Sequence, residues 1–279
     1  MNRHKPQIGS VEDGIGPHFL LVRSGSSSRR IAYLRRAQKP GTARPAIVWL
    51  GGFKSDMHGV KAEHLDRYAA ETGRAYLRFD YSGHGASEGL FEAGTIGAWL
   101  EESLAAIRIL TRGPQILVGS SMGGWLALLA ARALHESFET ERLKGLVLIA
   151  PAVDFTEALI FAKMSHAARE ELLQKGMWLR ASAYSPEPYP VTKALIEEGR
   201  NHLLLGGAIR AYSPVHILQG MRDEDVPWTH AMALAEHLAA DPVSLTLVKD
   251  GDHRLSREAD LARLTAAVAG MTAEKEAAS

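Results

Sequence analysis

The chain has no cysteine among its 279 residues. That absence excludes disulfide frameworks, thiolate catalysis and cysteine-ligated metal sites. It is compatible with a reducing cytoplasm. An excess of charge of either sign is also lacking, since 32 basic and 32 acidic residues give a formal net charge of +0. No block of lysine and arginine stands out, so no nucleic-acid partner is expected. No apolar run is long enough to cross a bilayer, so no integral membrane segment is expected. The opening "MNRHKPQIGSVEDGIG" lacks the apolar core of a signal peptide, and the expected compartment is cytoplasmic. The zinc-peptidase pattern HExxH is missing, and neither a metal nor a cofactor is expected.

What is present reads as an ordinary globular chain, 46% hydrophobic and 23% charged. The segment "HFLLVRSGSSSRRIAYLRR" predicts two strands around a turn. From there short apolar runs alternate with amphipathic stretches. "PAIVWL", "RAYLRFD", "PQILVG", "LKGLVLIAP", "VHILQG" and "VSLTLV" predict strands. "VKAEHLDRYAAETG", "IGAWLEESLAAIRILTRG", "SMGGWLALLAARALHE", "PWTHAMALAEHLAA" and "SREADLARLTAAVAGM" predict helices, the first two closed by glycine. Such alternation implies an α/β fold, a mostly parallel sheet with helices on both faces. Ligands in such sheets bind beyond the carboxyl ends of the strands.

The alternation breaks between Ala152 and Gly207. No strand is predicted there; "HAAREELLQKG" predicts a helix, and "SPEPYP" is irregular. Long structureless connections are uncommon unless functional, so residues 152–207 are expected to form a helical cap inserted into a core of 1–151 and 208–279.

Two segments match G-x-S-x-G, "GSSMG" at Gly119 and "GASEG" at Gly85. In a chain of this composition roughly 0.15 chance matches are expected, so the five letters alone decide little. The chemistry requires a strand running into the serine and a helix starting at it. Ser121 has both, following "PQILVG" and preceding "GGWLALLAARAL". Ser87 is followed by "EGLFEAGTIG", without an immediate helix. Ser121 is therefore the candidate nucleophile, against the alternative of a plain helix cap. Gly83, His84, Gly85 and Ser87 are expected to shape a turn.

A serine nucleophile needs a base and an orienting carboxylate. Of the histidines after "VHILQG", His230 and His237 fall within a predicted amphipathic helix and are expected at the surface. His253, in "KDGDHRLS", lies in a loop after the last strand and is the candidate base. The loop "GMRDEDVPW" offers Asp223, Glu224 and Asp225 as the acid; Asp223 is nearest the strand end, with Asp225 as the alternative. The oxyanion donors are expected to be the backbone N–H of Met122, directly after the serine, and that of Phe53 in "GGFKSD".

With these residues in place, the chain resembles the serine hydrolases of the α/β-hydrolase superfamily. It is most similar to the branch of acyl-protein thioesterases (S-depalmitoylases) and acyl-glucuronide esterases, in a bacterial form. The segments that carry the resemblance are "RFDYSGHG", "GPQILVGSSMGGW", "GMRDEDVPW" and "DHR", and they span most of the chain from about Phe53 to His253. The resemblance implies a triad of Ser121, Asp223 and His253. The expected activity is hydrolysis of a small-molecule carboxylic ester or an acyl thioester through an acyl-enzyme. Peptide or C–C bond cleavage by the same residues, or a catalytically silent binding module, remain open alternatives. Trp125, Met177 and Trp178, with Met164 and Tyr184, are candidates for an apolar pocket wall. Arg78, Arg180 and Arg254 are candidate carboxylate partners, with surface roles as the plainer reading.

Overall fold

The computed structural model describes residues 16–272 apart from 26, 182–186 and 239. In chain order the elements are β1 (His18–Ser24), β2 (Ser27–Arg36), β3 (Ala46–Leu50), α1 (Val60–Thr72), β4 (Tyr76–Phe79) and α2 (Ile96–Leu110). Next come β5 (Gln115–Ser120), α3 (Met122–Glu136), β6 (Leu143–Ile149), α4 (His166–Lys175), β7 (Met177–Arg180), β8 (Tyr189–Thr192) and α5 (Lys193–Gly199). The chain continues through β9 (Val215–Gly220), α6 (Trp228–His237), β10 (Val243–Val248) and α7 (Glu258–Gly270). Eight strands form one sheet in the order β1-β2-β4-β3-β5-β6-β9-β10. β2 pairs antiparallel with β1 and with β4; every other pair is parallel.

Side-chain alternation sorts the core into two layers. Val48, Leu50, Leu117, Leu146 and Leu148 join one buried cluster with α2 and α3. Ile47, Trp49, Ile116, Val118, Val147 and Ile149 join a second cluster with α1 and α7. Successive residues of a strand face opposite sides, so strands apolar at every position demand helices on both faces. α2 shows the matching helical stripe, with Ile96, Trp99, Ser103, Ala106, Ile107 and Leu110 buried. The Thr95 hydroxyl caps it by accepting from Ala98 N at 3.3 Å.

The expectation of a strand-free segment between Ala152 and Gly207 is corrected. β7 and β8 form a separate two-stranded antiparallel hairpin, pairing Met177 with Thr192 and Arg180 with Tyr189. Each strand has four residues, too few for a periodicity to register, and Pro190 in β8 reads as a breaker in sequence. Tyr184, offered above as a pocket residue, lies outside the described residues. Among the described residues no helix is long and apolar enough to cross a membrane.

Candidate active site

β5, β6, β9 and β10 are parallel neighbours, so the loops that follow them leave one edge of the sheet. Ser121, Asp223 and His253 sit on the loops after β5, β9 and β10 respectively.

Ser121 lies between β5 and α3 with φ 54° and ψ −119°. A non-glycine residue there is strained by about 1–3 kcal/mol, which persists only where the surroundings enforce it. Its N–H donates to the Ile149 carbonyl at 2.9 Å, and its carbonyl accepts from Gly124 at 2.9 Å and Ala152 at 3.1 Å. A Cβ on Gly123 would lie 2.0 Å from the Leu50 carbonyl oxygen; only glycine allows the helix to start this close to β3. Ser87 is engaged otherwise. Its hydroxyl donates to the Asp80 carbonyl at 2.7 Å and accepts from Ala32 N at 2.7 Å, joining β2 to the turn after β4.

His253 Nδ1 lies 2.7 Å from Asp223 Oδ2. A carboxylate can only accept, so Nδ1 carries the proton in this contact. Asp223 is buried and also accepts from Gln219 Nε2 at 3.1 Å, Asp225 N at 3.0 Å and Val226 N at 2.8 Å. The two loops meet backbone to backbone: a Cβ on Gly220 would fall 2.4 Å from the Gly251 carbonyl oxygen. Arg222 N donates to that same carbonyl at 2.8 Å. The Asp225 carboxylate lies 3.7 Å from Arg180 Nη2 of β7. Asp223, Asp225 and His253 bring possible ligand atoms within 4.8 Å. The hydrogen bonds already made to Asp223 occupy the lone pairs a cation would need.

The loop after β3 lies against Ser121, since a Cβ on Gly52 would be 3.4 Å from Ser121 Cβ. The Gly52 carbonyl accepts from Ser55 N at 3.2 Å and Ser55 Oγ at 2.9 Å. Because the peptide is planar and trans, the Phe53 N–H points the opposite way, away from Ser55. The Met122 N–H opens α3, where the first amides of a helix have no intrahelical acceptor.

The other sequence candidates scatter. Trp125 is fully buried, its indole donating to the His202 carbonyl at 3.1 Å. Trp178 packs against the main core, whereas Met177 stands exposed on the opposite face of β7. Met164 is buried in that core. Arg78 is nearly buried and donates to the Met57 carbonyl at 2.9 Å. His230 is not the surface residue expected: half-buried, it donates from Nε2 to the Val153 carbonyl at 2.9 Å, and burial lowers its pKa. His237 stays near the surface, against the Gly207 carbonyl.

Sequence reasoning missed Lys61, whose only signal was a lysine in the first turn of a predicted helix. Its ammonium donates to the Arg254 carbonyl, one residue beyond His253. Burial pushes its pKa down to about 8. Between that value and the ordinary 10.5 the unfolded chain holds a proton that the folded chain has lost. The Lys61 contribution to stability therefore rises with pH from about 8 to 10.5, and is lost as pH falls back through 8. In urea melts, the stability of the wild type relative to Lys61→Met is expected to be greater at pH 10.5 than at pH 8.

The match to known proteins decides the family. Residues 40–267 match the model of the alpha/beta hydrolase family. The chain belongs to that family. It is 37% identical over 239 residues to the human protein named mitochondrial palmitoyl-protein thioesterase ABHD10, covering 83% of this chain and 76% of the relative. Among solved structures, a putative hydrolase from Agrobacterium vitis S4 superposes with TM-score 0.89 at 49% identity, covering 93% of this chain and 99% of the other. Mouse alpha/beta hydrolase domain-containing protein 10 superposes with TM-score 0.79 at 33% identity, over 91% of this chain and 98% of that one. Membership in this hydrolase family, with a central sheet that is mostly parallel, agrees with the fold expected from sequence.

Proposed function

We propose that this hydrolase is a serine esterase or thioesterase that works through an acyl-enzyme. The observation that carries the reading is the 2.7 Å contact between His253 and the buried Asp223, made at the same sheet edge as the strained serine. In this reading His253 Nε2 takes the Ser121 proton as Oγ attacks the carbonyl carbon. The N–H groups of Met122 and Phe53 hold the oxyanion. The tetrahedral intermediate collapses, and His253 gives its proton to the departing alcohol or thiol. Water then attacks the acyl-serine with His253 again as base, releasing the acid and restoring Ser121. Asp223 fixes the imidazole tautomer and stabilises the imidazolium. The relatives named as palmitoyl-protein thioesterases favour an acyl thioester among the substrates. The test is covalent labelling by a fluorophosphonate, with the labelled peptide mapped to Ser121; failure to label would favour a silent binding module.

The segment 152–207 is read as a cap that supplies an apolar acyl pocket. Supporting this, the Phe53 ring meets Phe155 at 5.4 Å and Tyr189 at 5.6 Å between centroids, so this segment packs against the proposed oxyanion loop. Each buried methylene contributes about 0.8 kcal/mol, close to fourfold in kcat/KM if fully realised in the transition state. For p-nitrophenyl esters, kcat/KM is expected to climb from acetate through medium-chain acyl groups. Trp178→Ala is expected to flatten that climb more than it slows acetate hydrolysis. A profile that peaks at acetate and ignores the substitution would remove the acyl pocket and leave the triad untouched.

A further inference from the structure

We propose that His84 is a positioning residue that pre-forms the oxyanion hole by accepting the backbone N–H of Lys54. The inference rests on Phe53 N–H being an oxyanion donor. Lys54 is the next residue, and its N–H lies 3.1 Å from His84 Nε2. Its φ of 57° places it in the left-handed region, a conformation a lysine holds only under constraint. The other ring nitrogen, Nδ1, lies 3.2 Å from the Ser82 carbonyl. Nδ1 must therefore carry the proton, and Nε2 must be the acceptor; both contacts demand the same neutral tautomer.

That tautomer is built in by its surroundings. His84 is buried, and its ring packs edge-on against Tyr81, Phe91 and Trp99, with centroids 5.6, 5.1 and 5.2 Å away. Burial lowers its pKa to about 4, so the imidazole is neutral at neutral pH. Ser82, which anchors Nδ1, is itself held: its N–H and hydroxyl both donate to Glu102, at 2.9 and 2.7 Å. Glu102 in turn is paired with Arg29 at 2.6 Å. A chain of fixed contacts thus runs from β2 and α2 through the turn after β4 to the 53–54 peptide.

The consequence for catalysis follows from peptide geometry. Gly52 O is fixed by Ser55 and Lys54 N by His84, so both peptides flanking Phe53 are clamped. An unclamped 53–54 peptide can rotate and carry the Phe53 amide out of line. Oxyanion donors act because they need no reorganisation at the moment of reaction, and misplacement by about 1 Å can cost 10²-fold. The turn "SGHG", read from sequence as structural, then has a catalytic purpose at one remove.

Two substitutions separate this role from simple packing. His84→Phe keeps an aromatic ring among Tyr81, Phe91 and Trp99 but has no acceptor. His84→Gln loses the ring but can place Oε1 near the position of Nε2. If His84 positions the loop, His84→Phe lowers kcat/KM roughly 10- to 100-fold. It weakens covalent inhibition by an alkyl trifluoromethyl ketone in parallel, while the inhibition constant of the product fatty acid stays within about twofold. His84→Gln is expected to recover most of that loss, even where its melting temperature is the lower of the two. Phe active and Gln impaired, or both near wild type, or both impaired equally, overturns the proposal. The oxyanion reading itself fails separately, when the wild type forms no Ser121 adduct with the ketone.

Discussion

Ser121→Ala is expected to abolish ester hydrolysis and fluorophosphonate labelling, while Ser87→Ala is expected to keep both. The two residues share a five-residue pattern but not an environment. Ser121 sits on the strained turn, with φ 54°, and its backbone is held by Ile149, Gly124 and Ala152. Alanine suffers the same backbone strain as serine, so the variant is expected to fold like the wild type. What it lacks is the oxygen that the proposed acyl-enzyme mechanism acylates, and loss of such a nucleophile costs roughly 10⁶ in kcat in another serine hydrolase. Ser87 uses its hydroxyl twice, toward Asp80 O and Ala32 N. Removing it leaves those backbone groups short of a partner and costs about 1–3 kcal/mol. The expected result is a crossed pair: Ser121→Ala inactive with an unchanged melting temperature, Ser87→Ala active with a lowered one. Steady-state hydrolysis of p-nitrophenyl acetate and thermal melts read both. Loss of labelling in Ser87→Ala alone would put the nucleophile on the wrong turn.

The elbow was legible in sequence because its physics is local. A buried strand, a serine and a helix opening with two glycines follow one another within a dozen residues. The common edge of the Ser121, Asp223 and His253 loops was legible for a different reason, since the parallel order of β5, β6, β9 and β10 sends the loops after them the same way. The β7–β8 hairpin was not, because two four-residue strands, one holding Pro190, carry no period. His84 and Lys61 escaped for a third reason. Each reaches a backbone atom far along the chain by a hydrogen bond, 30 residues away for Lys54 and 193 for Arg254. Nothing in the spacing of side chains encodes a backbone acceptor or donor on another loop. His230 illustrates the same limit: its position on an amphipathic helix is correct, and only the folded chain brings Val153 O to it.

Asp223→Asn is expected to lower turnover by about 10⁴, the scale found when a triad loses its orienting carboxylate, whereas Asp225→Asn changes it by less than about threefold. The hydrogen bonds dictate the difference. Oδ1 of Asp223 accepts from the N–H groups of Asp225 and Val226, at 3.0 and 2.8 Å. An asparagine must keep its oxygen there, because an NH₂ would face two donors. Its NH₂ then falls at the position of Oδ2, opposite His253 Nδ1 and beside Gln219 Nε2. To accept from it, His253 must give up the Nδ1 proton and carry it on Nε2, where it cannot take a proton from Ser121. The inactive state is thus a wrong tautomer rather than a missing side chain. Asp225 contributes its backbone N–H to this arrangement, and asparagine retains that group. Its carboxylate lies 3.7 Å from Arg180, with side chains 33% and 29% exposed, and such pairs are worth about 0–1 kcal/mol. Steady-state kinetics on both variants decides the assignment: the opposite ranking would make Asp225 the acid and require His253 to leave the contact described here.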